Sequence, residues 1–151
     1  MGSRVRVPSG PLLIRVKIKY ISSMKENKLS ELSNRLIEIP DEMKSISIQL
    51  IDSNDKLSGY QENLTDLEGR IKIEISEELD EKGKKVFSNA ESREIEFLSR
   101  SNDDIEISDL KDTIRELKRS IDLLKIDYEK LSSDQRNIRS LLYFYQDRSV
   151  D

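Results

Sequence analysis

The sequence predicts an all-α protein, organised as an elongated antiparallel helical hairpin or coiled coil with a short extra N-terminal helix. Two heptad repeats of apolar residues, one in each half of the chain, indicate long helices that pack along their length. A polar stretch that contains Gly83 separates the two repeats and predicts the turn between them.

The C-terminal repeat extends from Ile107 to Tyr145, where apolar residues recur at alternating steps of three and four. Eleven of its twelve positions are apolar or aromatic, and Gln135 is the exception. The two registers hold Ile107, Ile114, Ile121, Tyr128, Gln135 and Leu142, and Leu110, Leu117, Leu124, Leu131, Ile138 and Tyr145. This pattern predicts one helix from about Ile105 to Gln146.

The N-terminal repeat has the same spacing but slips once. Its registers hold Met43, Leu50, Leu57, Leu64 and Ile71, and Ile46, Ser53, Tyr60, Leu67 and Glu74. Past Ile71 the pattern continues through Ile75 and Leu79, which indicates a stutter. Pro40 is expected to stop or kink the helix, so that residues 24–38 form the short extra helix.

The centre of the chain carries helix-ending and helix-starting signals. Residues 80–85 predict a turn at Gly83, and Ser88-Asn89 predicts an N-cap for a helix from Ala90 to about Arg100. Residues 101–104 predict a second interruption, whose Asp and Asn side chains cap the last helix. We therefore expect one domain over residues 24–151, with arms at about 24–82 and 89–148 and a turn at about 83–88.

Composition limits the chemistry that the chain can perform. Of 151 residues, 35% are hydrophobic and 37% charged, which suits buried stripes better than a thick globular core. The chain has no Cys and no His, which excludes zinc-finger, thiol and histidine chemistry. No apolar run approaches the roughly 20 residues that span a membrane. We expect a cytoplasmic protein with no membrane partner, no cofactor and no metal.

Residues 1–23 differ from the rest of the chain. They carry five basic residues and no acid, whereas the remainder is strongly acidic. Val5-Arg6-Val7-Pro8 matches the in-frame translation of a transfer-RNA T-arm, which suggests an over-called start with translation beginning at Met24. The alternative interpretation is a β-strand, because Ile14, Val16 and Ile18 alternate with basic residues. We expect this leader to be extended or disordered.

The strongest candidate site lies at the C-terminal end of the last helix. Five consecutive residues there are apolar all around the helix, more than one seam can bury: Leu141, Leu142, Tyr143, Phe144 and Tyr145. Packing against the short first helix is one explanation of this cluster. The other is a surface for a protein partner or for self-association, because aromatic patches mark interfaces.

A second candidate site lies in the turn, where a basic cluster adjoins an aromatic residue. A nucleic acid can be bound there by charge and stacking through Lys82, Lys84, Lys85 and Phe87. The other interpretation is a solvated loop, which the neighbouring acids favour. The carboxylates at Asp103, Asp104 and Glu106 are better explained by helix capping than by metal binding or acid/base catalysis, so no catalytic residue is assigned.

The turn also carries a resemblance. Residues 80–89, which read DEKGKKVFSN, with Arg93 and Glu96 beyond them, resemble small coiled-coil proteins of unknown function from phages and integrated mobile elements. The resemblance implies no activity. We expect a non-enzymatic interaction protein, encoded by a prophage or mobile element, that presents a helical surface to a host or element protein. We also expect copies of the chain to pair as a homodimer or a higher oligomer, because Ile at a and Leu at d favours pairing between chains. The alternative is a nucleic-acid-binding accessory protein.

Overall fold

A computed structural model of the chain describes residues 11–147. It contains three helices: α1 (Pro11–Glu77), α2 (Ala90–Asp103) and α3 (Ile105–Asp147). Within the described residues no β-strand occurs, and the one strand-like pairing is an isolated bridge between Leu79 and Lys85. The all-α prediction is confirmed.

The chain divides into two compact units, each with its own buried residues. One unit holds the residues up to Lys44 together with those from Glu129 onward, and the other holds residues 45–128. In the first unit Ile39, Leu131 and Ile138 are buried. In the second unit the buried apolar residues are Ile75, Phe97, Ile107, Ile114 and Ile121.

The short extra N-terminal helix is not present, because α1 continues through Pro40 without a break. The prediction of a stop at Pro40 was wrong. Proline removes one backbone hydrogen bond from a helix interior. The apolar steps from Leu36 to Ile39 to Met43 nevertheless keep their phase across it, and Ile39 is fully buried. Burial of that continuous face offsets the lost hydrogen bond.

The expectation of an extended leader also fails for residues 11–23, which belong to α1. A single strand with no neighbouring strand leaves its backbone donors and acceptors unpaired, whereas a helix pairs them internally. Apolar side chains of this segment, such as Ile14, Ile18 and Ile21, are mostly exposed. The rest of the leader, residues 1–10, lies outside the described residues.

The seam predicted for α3 is confirmed, since all twelve of its heptad positions are buried or half-buried. The seam of α1 shows the predicted stutter: Glu74 is exposed, whereas Ile75 is only 1% exposed. Leu79 does not continue the seam. It is 57% exposed, because α1 ends at Glu77 and Leu79 has left the helical surface.

The glycines in α1 are neither points of close approach nor breaks. A Cβ placed on Gly59 or Gly69 meets no atom within 4 Å. Gly83 differs, because its φ of 72° lies in the left-handed region that favours glycine. The prediction of Gly83 as the turn residue is therefore confirmed.

Side-chain caps fix the ends of the turn and of the short helix. The Asp80 carboxylate accepts hydrogen bonds from the backbone N–H groups of Lys82 and Lys84, each at 2.8 Å. The Asn89 side chain accepts from the Ser92 N–H at 2.7 Å, which confirms the predicted N-cap. Helix α2 extends beyond Arg100 to Asp103, so the second interruption consists of a single non-helical residue, Asp104.

Candidate interaction surfaces

The aromatic end of α3 splits into a buried side and an exposed side. Leu142 and Tyr145 occupy seam positions and are half-buried. Leu141, Tyr143 and Phe144 lie outside the seam positions and are 43%, 69% and 50% exposed. The Phe144 and Tyr145 rings meet edge to face, with centroids 5.9 Å apart. The three exposed residues, Leu141, Tyr143 and Phe144, are here called the aromatic patch.

The basic turn exposes its cations but not its aromatic residue. Lys82, Lys84 and Lys85 are all exposed, as the sequence suggests. Phe87 is half-buried, and the guanidinium carbon of Arg100 lies 5.8 Å from the centroid of its ring. One face of the ring is thus occupied by a cation of α2, which reduces the surface that a nucleic-acid base can stack on.

Arg100 joins α2 to the segment between α1 and α2. Its guanidinium donates to the carboxylate of Glu78, just beyond α1, and to that of Glu96 at 2.6 Å within α2. These hydrogen bonds, Glu78 first, raise the pKa of Arg100 above its ordinary value. The arginine therefore holds the turn in place as well as contacting Phe87. Sequence analysis did not single out Arg100, although its spacing of four from Glu96 is a recognisable signal.

Further contacts join α1 to the later helices within residues 45–128. The Lys111 ammonium on α3 lies 3.4 Å from a carboxylate oxygen of Glu68 on α1. The Lys72 ammonium on α1 lies over the ring of Phe97 on α2. Both contacts flank buried seam residues, so they position α1 against the two other helices in this unit.

A groove in the same unit was missed by sequence analysis. It has a volume of about 780 Å³ and lies between α1 and the start of α3. Its apolar lining includes Tyr60, Leu67, Ile105 and Leu110, and its charged residues are Asp66, Arg70, Glu106 and Asp109. Ile105 is 77% exposed. The signal in the sequence that could have indicated this groove is Ile105, an apolar residue outside the two heptad registers of the seam.

Of the acidic residues near the α2–α3 junction, Asp104 serves as a cap. The Asp104 carboxylate accepts a hydrogen bond from the Ile107 backbone N–H at 3.0 Å, as predicted. Across residues 11–147, no group of three or more acidic side chains is arranged to hold a metal ion. In the same range, none of the three helices has a stretch apolar and long enough to cross a membrane.

No protein-family model matches the chain, and no curated protein or solved structure matches it. Function is therefore argued from the surfaces described above.

Proposed function

We propose that the chain is a non-enzymatic interaction protein, built as an antiparallel coiled-coil hairpin, that presents a helical surface to a protein partner. The observation that carries the proposal is the aromatic patch: Leu141, Tyr143 and Phe144 are exposed on a helix whose seam residues are buried or half-buried. Exposed aromatic residues grouped on one rigid helix are typical of the centres of protein interfaces.

The hairpin architecture is supported by the order of contacts within residues 45–128. Glu68 of α1 contacts Lys111 of α3, whereas Lys72 and Glu78, nearer the turn, contact residues of α2. An antiparallel pair brings e positions of the two helices together, and Lys111 and Glu68 both occupy such positions. The heptad seams of α1 and α3 supply the apolar layers of the coiled coil.

The biological setting that we propose is a prophage or a similar mobile element, with the protein acting in the cytoplasm on a host or element protein. Support comes from the sequence: the turn residues 80–89 resemble those of phage and mobile-element proteins, and Val5-Arg6-Val7-Pro8 matches a translated transfer-RNA arm. Transfer-RNA genes are common insertion sites for such elements.

The test replaces Tyr143 with the photo-crosslinker benzoylphenylalanine in the cells that carry the gene. Irradiation is expected to join the chain covalently to a protein. The matched control places the same crosslinker at Asp122, which is exposed on α3 away from the aromatic patch. Adducts at Tyr143 no stronger than those at Asp122 would overturn the proposal. An adduct with a second copy alone would make the patch a self-association surface.

The second function, nucleic-acid binding, is supported by the exposure of the three turn lysines. A gel shift that weakens with salt and is lost in a Lys82→Glu, Lys84→Glu, Lys85→Glu variant would favour it. Absence of any shift at low salt would contradict it. The contact between Arg100 and Phe87 makes the protein-binding proposal the stronger one.

A further inference from the structure

In the unit formed by residues 45–128, the seam of α3 is closed on its a side and half-open on its d side. The a-position residues of α3, Ile107, Ile114 and Ile121, are buried. The d-position residues Leu110, Leu117 and Leu124 are only half-buried, although they are equally apolar. The groove of about 780 Å³ lies on this d side. An apolar side that is left half-open along a helix can be covered by another helix.

The charges on the two sides are also different. On the closed side, Lys111 and Glu68 form an ion pair within the chain. On the open side, Arg70 of α1 and Glu106 of α3 line the groove, and in the part of the chain that the structure describes neither takes part in an ion pair. By the heptad register both occupy g positions, next to the d residues. Asp66 and Asp109 occupy c positions, farther from the seam.

We propose that this groove face binds a second copy of the chain, so that two hairpins form a four-helix bundle. The inference rests on the proposed interaction function and assigns self-association to a surface other than the aromatic patch. At the g positions beside the open side, each chain offers Arg70 on α1 and Glu106 on α3, while Asp66 and Asp109 lie on the same walls farther from the seam. A two-fold axis parallel to the helices brings the α1 wall of each copy against the α3 wall of the other.

The arrangement is self-complementary because of where the two charges lie. Arg70 and Glu106 line the same groove, and the contact between Glu68 and Lys111 sets their heights along the helices within about one helical turn of each other. Rotation about an axis parallel to the helices preserves that height. Arg70 therefore faces Glu106 of the second copy, and the same pair forms again by symmetry. The d-position leucines and Tyr60 become the apolar centre of the bundle.

The experiment measures the mass of the full chain and of charge variants by light scattering after gel filtration. We expect the unaltered chain to have about twice its mass of 17.6 kDa. Arg70→Glu and Glu106→Arg, each alone, place like charges together twice per dimer and are expected to weaken dimerisation about tenfold. An equimolar mixture of the two variants restores both pairs and is expected to regain the dimer.

Mixing separates an interface effect from a folding effect, because a defect within one chain is not repaired by adding another. The matched control is Lys111→Glu on the closed side, which is expected to leave the dimer mass unchanged. A monomeric unaltered chain would overturn the inference and leave the aromatic patch available to another protein. A dimer that is indifferent to Arg70 and Glu106 would overturn it as well, because the interface would then lie elsewhere.

Discussion

The ammonium group of Lys72 lies 4.5 Å from the centroid of the Phe97 ring, and this contact joins α1 to α2. Phe97 is nearly buried, so its ring supplies most of the apolar contact that holds the short helix. Phe97→Ala is expected to lower the free energy of unfolding by about 3–4 kcal/mol, because it leaves a cavity. Urea unfolding monitored by circular dichroism measures the change.

The ammonium group of Lys72 is expected to contribute less to the free energy of unfolding than the ring of Phe97. Lys72→Met keeps the aliphatic stem and removes the charge, and is expected to cost about 0.5–1 kcal/mol. If the two substitutions cost the same, the ring is not the main contact between the helices.

The carboxylate of Asp104 caps α3, and its loss is expected to be measurable in isolation. Asp104→Ala leaves the Ile107 N–H without its side-chain acceptor, and is expected to lower the free energy of unfolding by about 1 kcal/mol. Asp103→Ala is the control, since Asp103 lies one residue earlier and does not cap α3. Equal losses of stability in the two variants would mean that the negative charge of the side chain matters and the capping hydrogen bond does not.

The three described glycines of the second unit are expected to respond to alanine with opposite signs. Gly59→Ala and Gly69→Ala meet open space within a helix, and each is expected to stabilise the protein by about 0.5–1 kcal/mol. Gly83→Ala forces a Cβ into a left-handed conformation, and is expected to destabilise it by about 1 kcal/mol. Thermal unfolding of the three variants side by side gives the comparison.

Pro40 limits the stability of α1. Pro40→Ala restores the N–H that proline lacks, and the exposed position leaves no cavity. The variant is expected to be more stable by roughly 1–3 kcal/mol. Pro11→Ala, at the start of α1, is the control, because proline is tolerated in the first turn. A less stable Pro40→Ala chain would mean that proline at this position is needed for packing.

The ion pair between Arg35 and Glu42 predicts a local pH dependence in the first unit. The guanidinium of Arg35 donates to both carboxylate oxygens of Glu42, and these hydrogen bonds lower the pKa of Glu42. A lowered folded-state pKa gives a contribution that is present above the unfolded pKa and lost as pH falls through the folded one. A carboxyl NMR titration is expected to move the Glu42 midpoint upward in Arg35→Gln. An unchanged midpoint would contradict the pairing.

The caps and the seams were predictable from the sequence because they depend on local chemistry. The heptad spacing of Ile107, Ile114 and Ile121 specified which face is buried, Asn89 and Asp104 marked the starts of α2 and α3, and Gly83 marked the turn. The helix was expected to stop at Pro40 because the local cost of proline in a helix was considered alone. The apolar pattern that continues on one helix face across Pro40 was not taken into account. Residues 11–23 were predicted to be extended or disordered because their alternating apolar and basic side chains form no helical stripe.

The sequence by itself determined the helical class, the seams, the turn and the absence of cysteine and histidine chemistry, since each follows from residue type and spacing. The tertiary structure decided which apolar residues stay exposed, including Tyr143 and Ile105. It also decided that Arg100 covers Phe87 and that the d side of the second unit is open. Those outcomes depend on which side chains meet between helices distant in sequence, and no local spacing specifies such contacts.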